Sequence, residues 1–166
     1  VLIIVMSVMN GFRTELINKI VGFNPHITVD PYETKIEINK LKNSNLDLIS
    51  KNLLLSNSGE AIIITNETSK GVVLRGYTTK GFSKLEMINN ETFLGDKKNL
   101  SKNYLSIGKE LSFTLDLKIG DNITIMSSVG VGTIIGNLPK QKTFIVSSIF
   151  ESGLADFDNN IAFINL

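Results

Sequence analysis

His26 is the only histidine in this 166-residue chain, and there is no cysteine. A zinc site needs three or four His, Cys or carboxylate ligands held close together, so no metal site is expected. A Ser–His–acid relay would have to use His26, and no serine sits in a nucleophile elbow. The run Gly130-Val-Gly132-Thr-Ile-Ile-Gly136 has the glycine density of a phosphate loop. It lacks the Lys-Ser/Thr pair, does not match GxGxxG, and leads into a strand rather than a helix. It reads as conformational freedom for a turn. Asp116, Asp121, Asp156 and Asp158 are scattered, and most read as turn residues. Asn66-Glu-Thr68, Asn90-Glu-Thr92 and Asn122-Ile-Thr124 match a glycosylation sequon, which matters only in a eukaryotic secretory route. No catalytic residue and no cofactor is expected, and the chain does not read as an enzyme.

What the sequence offers instead is apolar surface in unusual places. Residues 1–9 form an unbroken apolar run apart from Ser7, without an initiator Met or a basic flank. A bilayer span takes about 20 apolar residues, so this run alone does not cross a membrane. The run reads as the tail of a transmembrane helix in preference to a core helix, and a signal peptide is disfavoured. Met9, Phe12, Leu16, Ile17, Ile20 and Val21 recur at intervals of three and four, so a helix is expected over 7–21, continuing the apolar run and ending at Gly22.

Further along, Asn24-Pro25 marks a turn, and the alternation in 26–30 reads as a strand. A helix is expected over about 38–54. Residues 60–66 and 71–77 read as two strands joined by a hairpin turn, completing a split β-α-β-β unit. Residues 82–99 read as short helical turns, 107–117 as a helix with Leu111 and Leu115 on one side, and Gly120-Asp121 as a turn. Strands are expected over 122–126, 142–150 and 161–166, with a polar loop over 152–160. The chain stops inside an apolar strand, so its end reads as truncated.

Between 126 and 142 lies a long finger, read as a loop with no secondary structure of its own. Such loops are usually functional or disordered. This one carries Val129, Val131, Ile134, Ile135 and Leu138, and disordered linkers lack such residues. Either the domain or a partner must cover them. Hydrophobic residues make up 42% of the chain and the net charge is +1, which supports a core and argues against a nucleic-acid surface.

Met6-Ser-Val-Met-Asn-Gly-Phe-Arg13 followed by Gly22-Phe-Asn-Pro-His-Ile27 strongly resembles the start of the LolC/LolE permeases. These are the membrane subunits of the bacterial lipoprotein-releasing ABC transporter, within the FtsX/MacB superfamily. Val73-Leu-Arg-Gly-Tyr77, Ile107-Gly-Lys-Glu-Leu111, Leu117-Lys-Ile-Gly-Asp-Asn-Ile-Thr124, Pro139-Lys-Gln-Lys-Thr-Phe-Ile-Val146 and Phe150-Glu-Ser-Gly-Leu154 continue the resemblance in the same order.

The resemblance implies an α+β, MacB-like periplasmic core. Residues 1–22 would be the end of the first transmembrane helix and a stalk. Residues 23–70 would form an incomplete Porter-like split α/β part. Residues 71–166 would form a β-rich Sabre-like part, with a hook at 127–139. The resemblance implies that the hook holds a soluble lipoprotein carrier (LolA-like) through Val131, Ile134, Ile135, Leu138 and Pro139, with Gln141 and Lys142 in a binding pad. Residues 122–126 lack the basic residue the family pad can use, and Ser127 stands where a proline is usual. Met6, Met9 and Phe12 would touch lipid. The implied location is the bacterial inner membrane, with this segment periplasmic. The other implied partners are a lipoprotein substrate, a cytoplasmic ATPase subunit (LolD-like), and a second permease copy or paralogue. Two other readings stand beside this one: the ectodomain of a MacB-like efflux or FtsX-like regulatory permease, and a soluble α+β domain.

Overall fold

The computed structural model describes residues 1–21, 24–31, 36, 41, 44–50, 52–85, 88, 92–96, 100–133 and 136–166. The chain divides into two compact units, Val1–Leu55 and Ser56–Leu166.

The first unit opens with helix α1 (Leu2–Val21), a single element that joins the apolar run to the amphipathic stretch. Thr14 Oγ1 donates to the Asn10 carbonyl 2.9 Å away, one turn back along its surface. Residues 26–30, read as a strand, are exposed and lie in no strand. Alternation over five residues fixes a strand only where a neighbour completes the ladder, and none of the described ladders includes them. The helix read over 38–54 survives among the described residues as α2 (Leu46–Ile49), and Leu41 is also helical. Ser50 stops α2: its backbone is extended, and its hydroxyl donates to the Leu46 carbonyl at 2.7 Å, competing for a helical acceptor. Residues 44, 45, 50 and 52–54 are not helical, so the helix is shorter than read, and the other positions of that stretch, with Gly22, lie outside the described residues.

The second unit is built from strands β1 (Ser56–Ile64), β2 (Ser69–Tyr77), β3 (Leu94–Gly95), β4 (Tyr104–Gly108), β5 (Asn122–Thr133), β6 (Gly136–Phe150) and β7 (Ile161–Asn165). Three short helices accompany them: α3 (Thr79–Phe82), α4 (Lys109–Thr114) and α5 (Ala155–Asn160). The strand order is β3-β6-β4-β7-β2-β1-β5, and β5 also pairs with β6. The ladders therefore close: β1, β2, β7, β4, β6 and β5 form a ring, with β3 added on the flank of β6. Pairing is parallel for β2–β7 and β4–β6 and antiparallel elsewhere. A closed ring removes the free edges at which chains otherwise associate.

Alternation then places one face of every ring strand inside. Ala61, Ile63, Val72, Leu105, Ile107, Ile123, Ile125, Phe144, Val146 and Ala162 form one buried cluster with Leu111, Leu115 and Leu117. Burying a Leu, Ile or Phe side chain contributes about 1.5–3 kcal/mol, so this interior dominates the stability of the unit. A second, aromatic layer lies outside the ring. Phe163 packs 5.0 Å from Phe150, 5.6 Å from Phe82 and 5.9 Å from Tyr77, measured between ring centroids. Phe157 from α5 packs 6.1 Å from Phe150.

Three expectations change here. The helix read over 107–117 begins at Lys109, because Leu105 and Ile107 are strand residues pointing into the ring. Leu111 and Leu115 do share its buried side. The polar loop over 152–160 contains α5, whose approach is fixed by a glycine: a β-carbon at Gly108 would collide with the Asp158 backbone. The hairpin read over 60–66 and 71–77 is present as the β1–β2 ladder, but residues 26–30 supply no strand, so the β-α-β-β unit does not appear as read.

Candidate functional site

The finger over 127–139 is not a loop. It is the distal half of the β5–β6 hairpin. At the root, Asn122 to Met126 pair with Ile145 to Gln141 inside the ring. Beyond it, Gly130, Val131, Gly132 and Thr133 pair with Pro139, Leu138, Asn137 and Gly136. A projecting segment must satisfy its own backbone groups, and the two arms do this for each other. Gly130 and Gly132 are thus ladder residues rather than turn residues. Of the three glycines in this run, Gly136 sits in the left-handed region, with φ 116°, a conformation glycine adopts at no steric cost.

Root and tip are out of register. Between the Met126–Gln141 and Gly130–Pro139 pairs, β5 contributes Ser127, Ser128 and Val129 against Lys140 alone. Such a bulge bends the hairpin and re-aims the distal arms. Ser127 Oγ accepts the Val129 N–H at 3.2 Å, steadying the bulge. Val129 is pushed into solvent at 74% exposure, and Leu138 stands 54% exposed on the opposite arm.

The residues singled out for a carrier divide between tip and root. Val131 lies on β5 opposite Leu138, and Pro139 is exposed opposite Gly130. Ile134 and Ile135 lie outside the described residues. Gln141 and Lys142 sit at the root, both exposed. Gln141 Nε2 lies 3.7 Å from Met126 Sδ. Lys142 Nζ donates to the Lys102 carbonyl at 2.8 Å and lies 4.8 Å from the centroid of the Phe144 ring. The contact of Lys142 with the Lys102 carbonyl is one that sequence reasoning missed. The two residues are 40 positions apart, and only the β4–β6 pairing brings them together.

Met6, Met9 and Phe12 are 60%, 61% and 61% exposed on α1, each three residues from the next. Val1, Leu2, Ile3, Ile4, Val5 and Val8 are exposed too, so this half of the helix is apolar on all sides within its own unit. Among the described residues no helix is long and apolar enough to cross a membrane.

The titratable groups hold structure. Asp121 Oδ2 accepts the Lys118 N–H at 2.7 Å in the turn before β5, and Asp116 takes a left-handed conformation with φ 46° after α4. Asp158 departs from the turn-residue reading. It is 2% exposed, and its carboxylate accepts the Ser152 N–H at 3.0 and 3.1 Å. Burial raises its pKa, outweighing the lowering by its Ser152 and Gly153 hydrogen bonds. His26 is exposed, and among the described residues no group of three His, Cys, Asp or Glu could hold a metal ion.

Comparison with known proteins first gives a class. No protein-family model matches the chain. Sequence relatives are transmembrane proteins of bacterial lipoprotein-releasing systems. That of Xylella fastidiosa is 25% identical over 170 residues, covering 100% of this chain and 41% of the relative. That of Neisseria meningitidis is 25% identical over 182 residues, covering 97% and 40%. That of Buchnera aphidicola from Schizaphis graminum is 30% identical over 160 residues, covering 90% and 38%. Each of these relatives is a LolC protein, so the resemblance to the LolC/LolE family holds along nearly the whole chain. The chain spans about two fifths of the length of these relatives. Among solved structures, the extracellular domain of the noncanonic ABC-type transporter YknZ from Gram-positive bacteria aligns with a TM-score of 0.46 at 13% identity. That alignment covers 77% of this chain and 59% of the other.

Proposed function

We propose that this chain is the periplasmic part of an inner-membrane permease that releases lipoproteins and passes them to a soluble, LolA-like carrier. The β5–β6 hairpin is the docking element. The observation that carries the reading is the arm itself: two strands of 12 and 15 residues, rooted in a closed ring and presenting exposed Val129 and Leu138. An apolar tip held away from its own core suits insertion into an apolar cavity of a partner. In this reading the ring is the Sabre-like part, and the unit before it belongs to the Porter-like part. Helix α1 leaves the membrane with Met6, Met9 and Phe12 toward acyl chains, since flexible Met suits an adaptable apolar surface. ATP hydrolysis belongs to a separate cytoplasmic, LolD-like subunit, and a second permease copy or paralogue completes the complex.

Site-specific photo-crosslinking from Leu138 in the full-length permease tests the docking role. A covalent adduct with the carrier is expected. Absence of an adduct from Leu138 and from Val129 overturns the assignment.

A further inference from the structure

The parallel ladder between β4 and β6 carries a bulge of its own. Leu105 pairs with Val146, Ser106 pairs with Ser148, and Ser147 is the extra residue between them. The polar groups of Ser147 are partnered. Its hydroxyl donates to the Leu105 carbonyl at 3.0 Å, and its carbonyl accepts the Asp96 N–H at 3.3 Å. The two serines beside it differ. Ser106 and Ser148 are both 0% exposed, and neither hydroxyl has a hydrogen-bond partner among the described residues. A buried hydroxyl without a partner is costly, and here two of them occupy paired positions.

Leu105, Ile107 and Val146 belong to the interior of the ring, so alternation turns Ser106 outward. Cross-strand partners share a face. Ser148 on one side of Ser106 and Phe163 on the other therefore turn outward with it. The row Phe163–Ser106–Ser148 lies in the aromatic layer, where Phe163 packs 5.0 Å from Phe150 and 5.6 Å from Phe82. Two adjacent serines fill far less of this layer than the phenylalanines around them, and protein interiors leave little space unfilled. An apolar gap stays dry, whereas a site lined by buried hydroxyls holds water.

We propose that Ser106 and Ser148 bind one internal water that bridges β4 to β6 across the bulge. The site is closed to solvent and its two hydroxyls can each donate or accept, which suits a water and nothing larger. The bridge supplies a cross-strand link where the bulge interrupts the ladder. It lies just beyond Ile145, which pairs with Asn122 at the start of β5, so it helps to keep β6 in register below the hairpin. The site belongs to the ring itself and does not depend on what the hairpin docks.

High-resolution crystal structures of the chain and of its S106A variant test the proposal, together with urea unfolding of S106A, S148A and the double variant. In the parent, one water lies about 2.8 Å from both hydroxyl oxygens, and in S106A it is gone. Each single variant lowers the urea midpoint. The double variant lowers it no further than the worse single one, because the water is lost only once. Hydroxyls bonded directly to each other, a separate water on each, or no water between them in the parent would overturn the bridge. A double-variant shift equal to the sum of the single shifts would overturn it as well, and the parent structure decides the matter even if a variant fails to fold.

Discussion

Strands β5 and β6 lead two lives. At the root, Ile123 and Phe144 pair with each other, are 1% and 8% exposed and pack into the ring, where β5 also bonds to β1 and β6 to β4. Past the bulge, the same two strands bond only to each other, and Val129 and Leu138 stand in solvent. One hairpin therefore carries residues that make the fold and residues that the fold does not need. A tip that contributes little to stability is free to be shaped by what it touches. A root that contributes much keeps the tip aimed.

The largest expected effect breaks the root. Ile123→Ala leaves a cavity inside the ring and costs about 2–5 kcal/mol, whereas Leu138→Ala changes stability by no more than ~0.5 kcal/mol. Urea unfolding of the two variants measures the contrast; equal losses would erase the distinction between root and tip.

Next is the pH response of Asp158 on α5. Burial raises the Asp158 pKa, so the folded chain keeps this proton at pH values where the unfolded chain has lost it. The contribution of Asp158 therefore makes stability fall as pH rises from the ordinary carboxylate value to the raised folded one, and it is constant above that. Asp158→Asn removes this slope, which comparison of urea midpoints for parent and variant between about pH 4 and about pH 6 would detect. Identical slopes in both proteins would refute it.

The smallest effect is local. Ser127→Ala removes the acceptor of the Val129 N–H, a loss of about 0.5–1.5 kcal/mol. Hydrogen exchange at Val129 should quicken, while exchange at Ile125 stays as it was.

Much of the ring was legible where a run of apolar residues ended in turn chemistry. The β1–β2 hairpin is readable from Ile62-Ile-Ile64 and the polar stretch after it, although β1 begins four residues earlier than read, at Ser56. Asp121 and Gly120 mark the turn before β5. Leu111 and Leu115 declared the buried side of α4. The hidden elements depend on partners far along the chain. Ile107 and Gly108 look like the start of a helix until β6 and β7 flank β4. Residues 127–139 look like a loop because glycines and Pro139 break the strand pattern, yet the opposite arm satisfies them. Polar character in 152–160 concealed α5, which forms because Gly108 lets the Asp158 backbone close in. The apolar residues of the finger were visible as letters in the sequence. The bond from Lys142 to the Lys102 carbonyl was not, since no local pattern ties the two residues.

Closure of the ring also has a mechanical consequence. Each root strand is hydrogen-bonded to a neighbour outside the hairpin, β5 to β1 and β6 to β4. Backbone bonds in such ladders run across the strands. A pull along the hairpin axis therefore loads several bonds at once in shear rather than peeling them one by one. The ring therefore anchors the arm against a load applied at Leu138, and the bulge between Met126 and Gly130 is the place where the arm can bend.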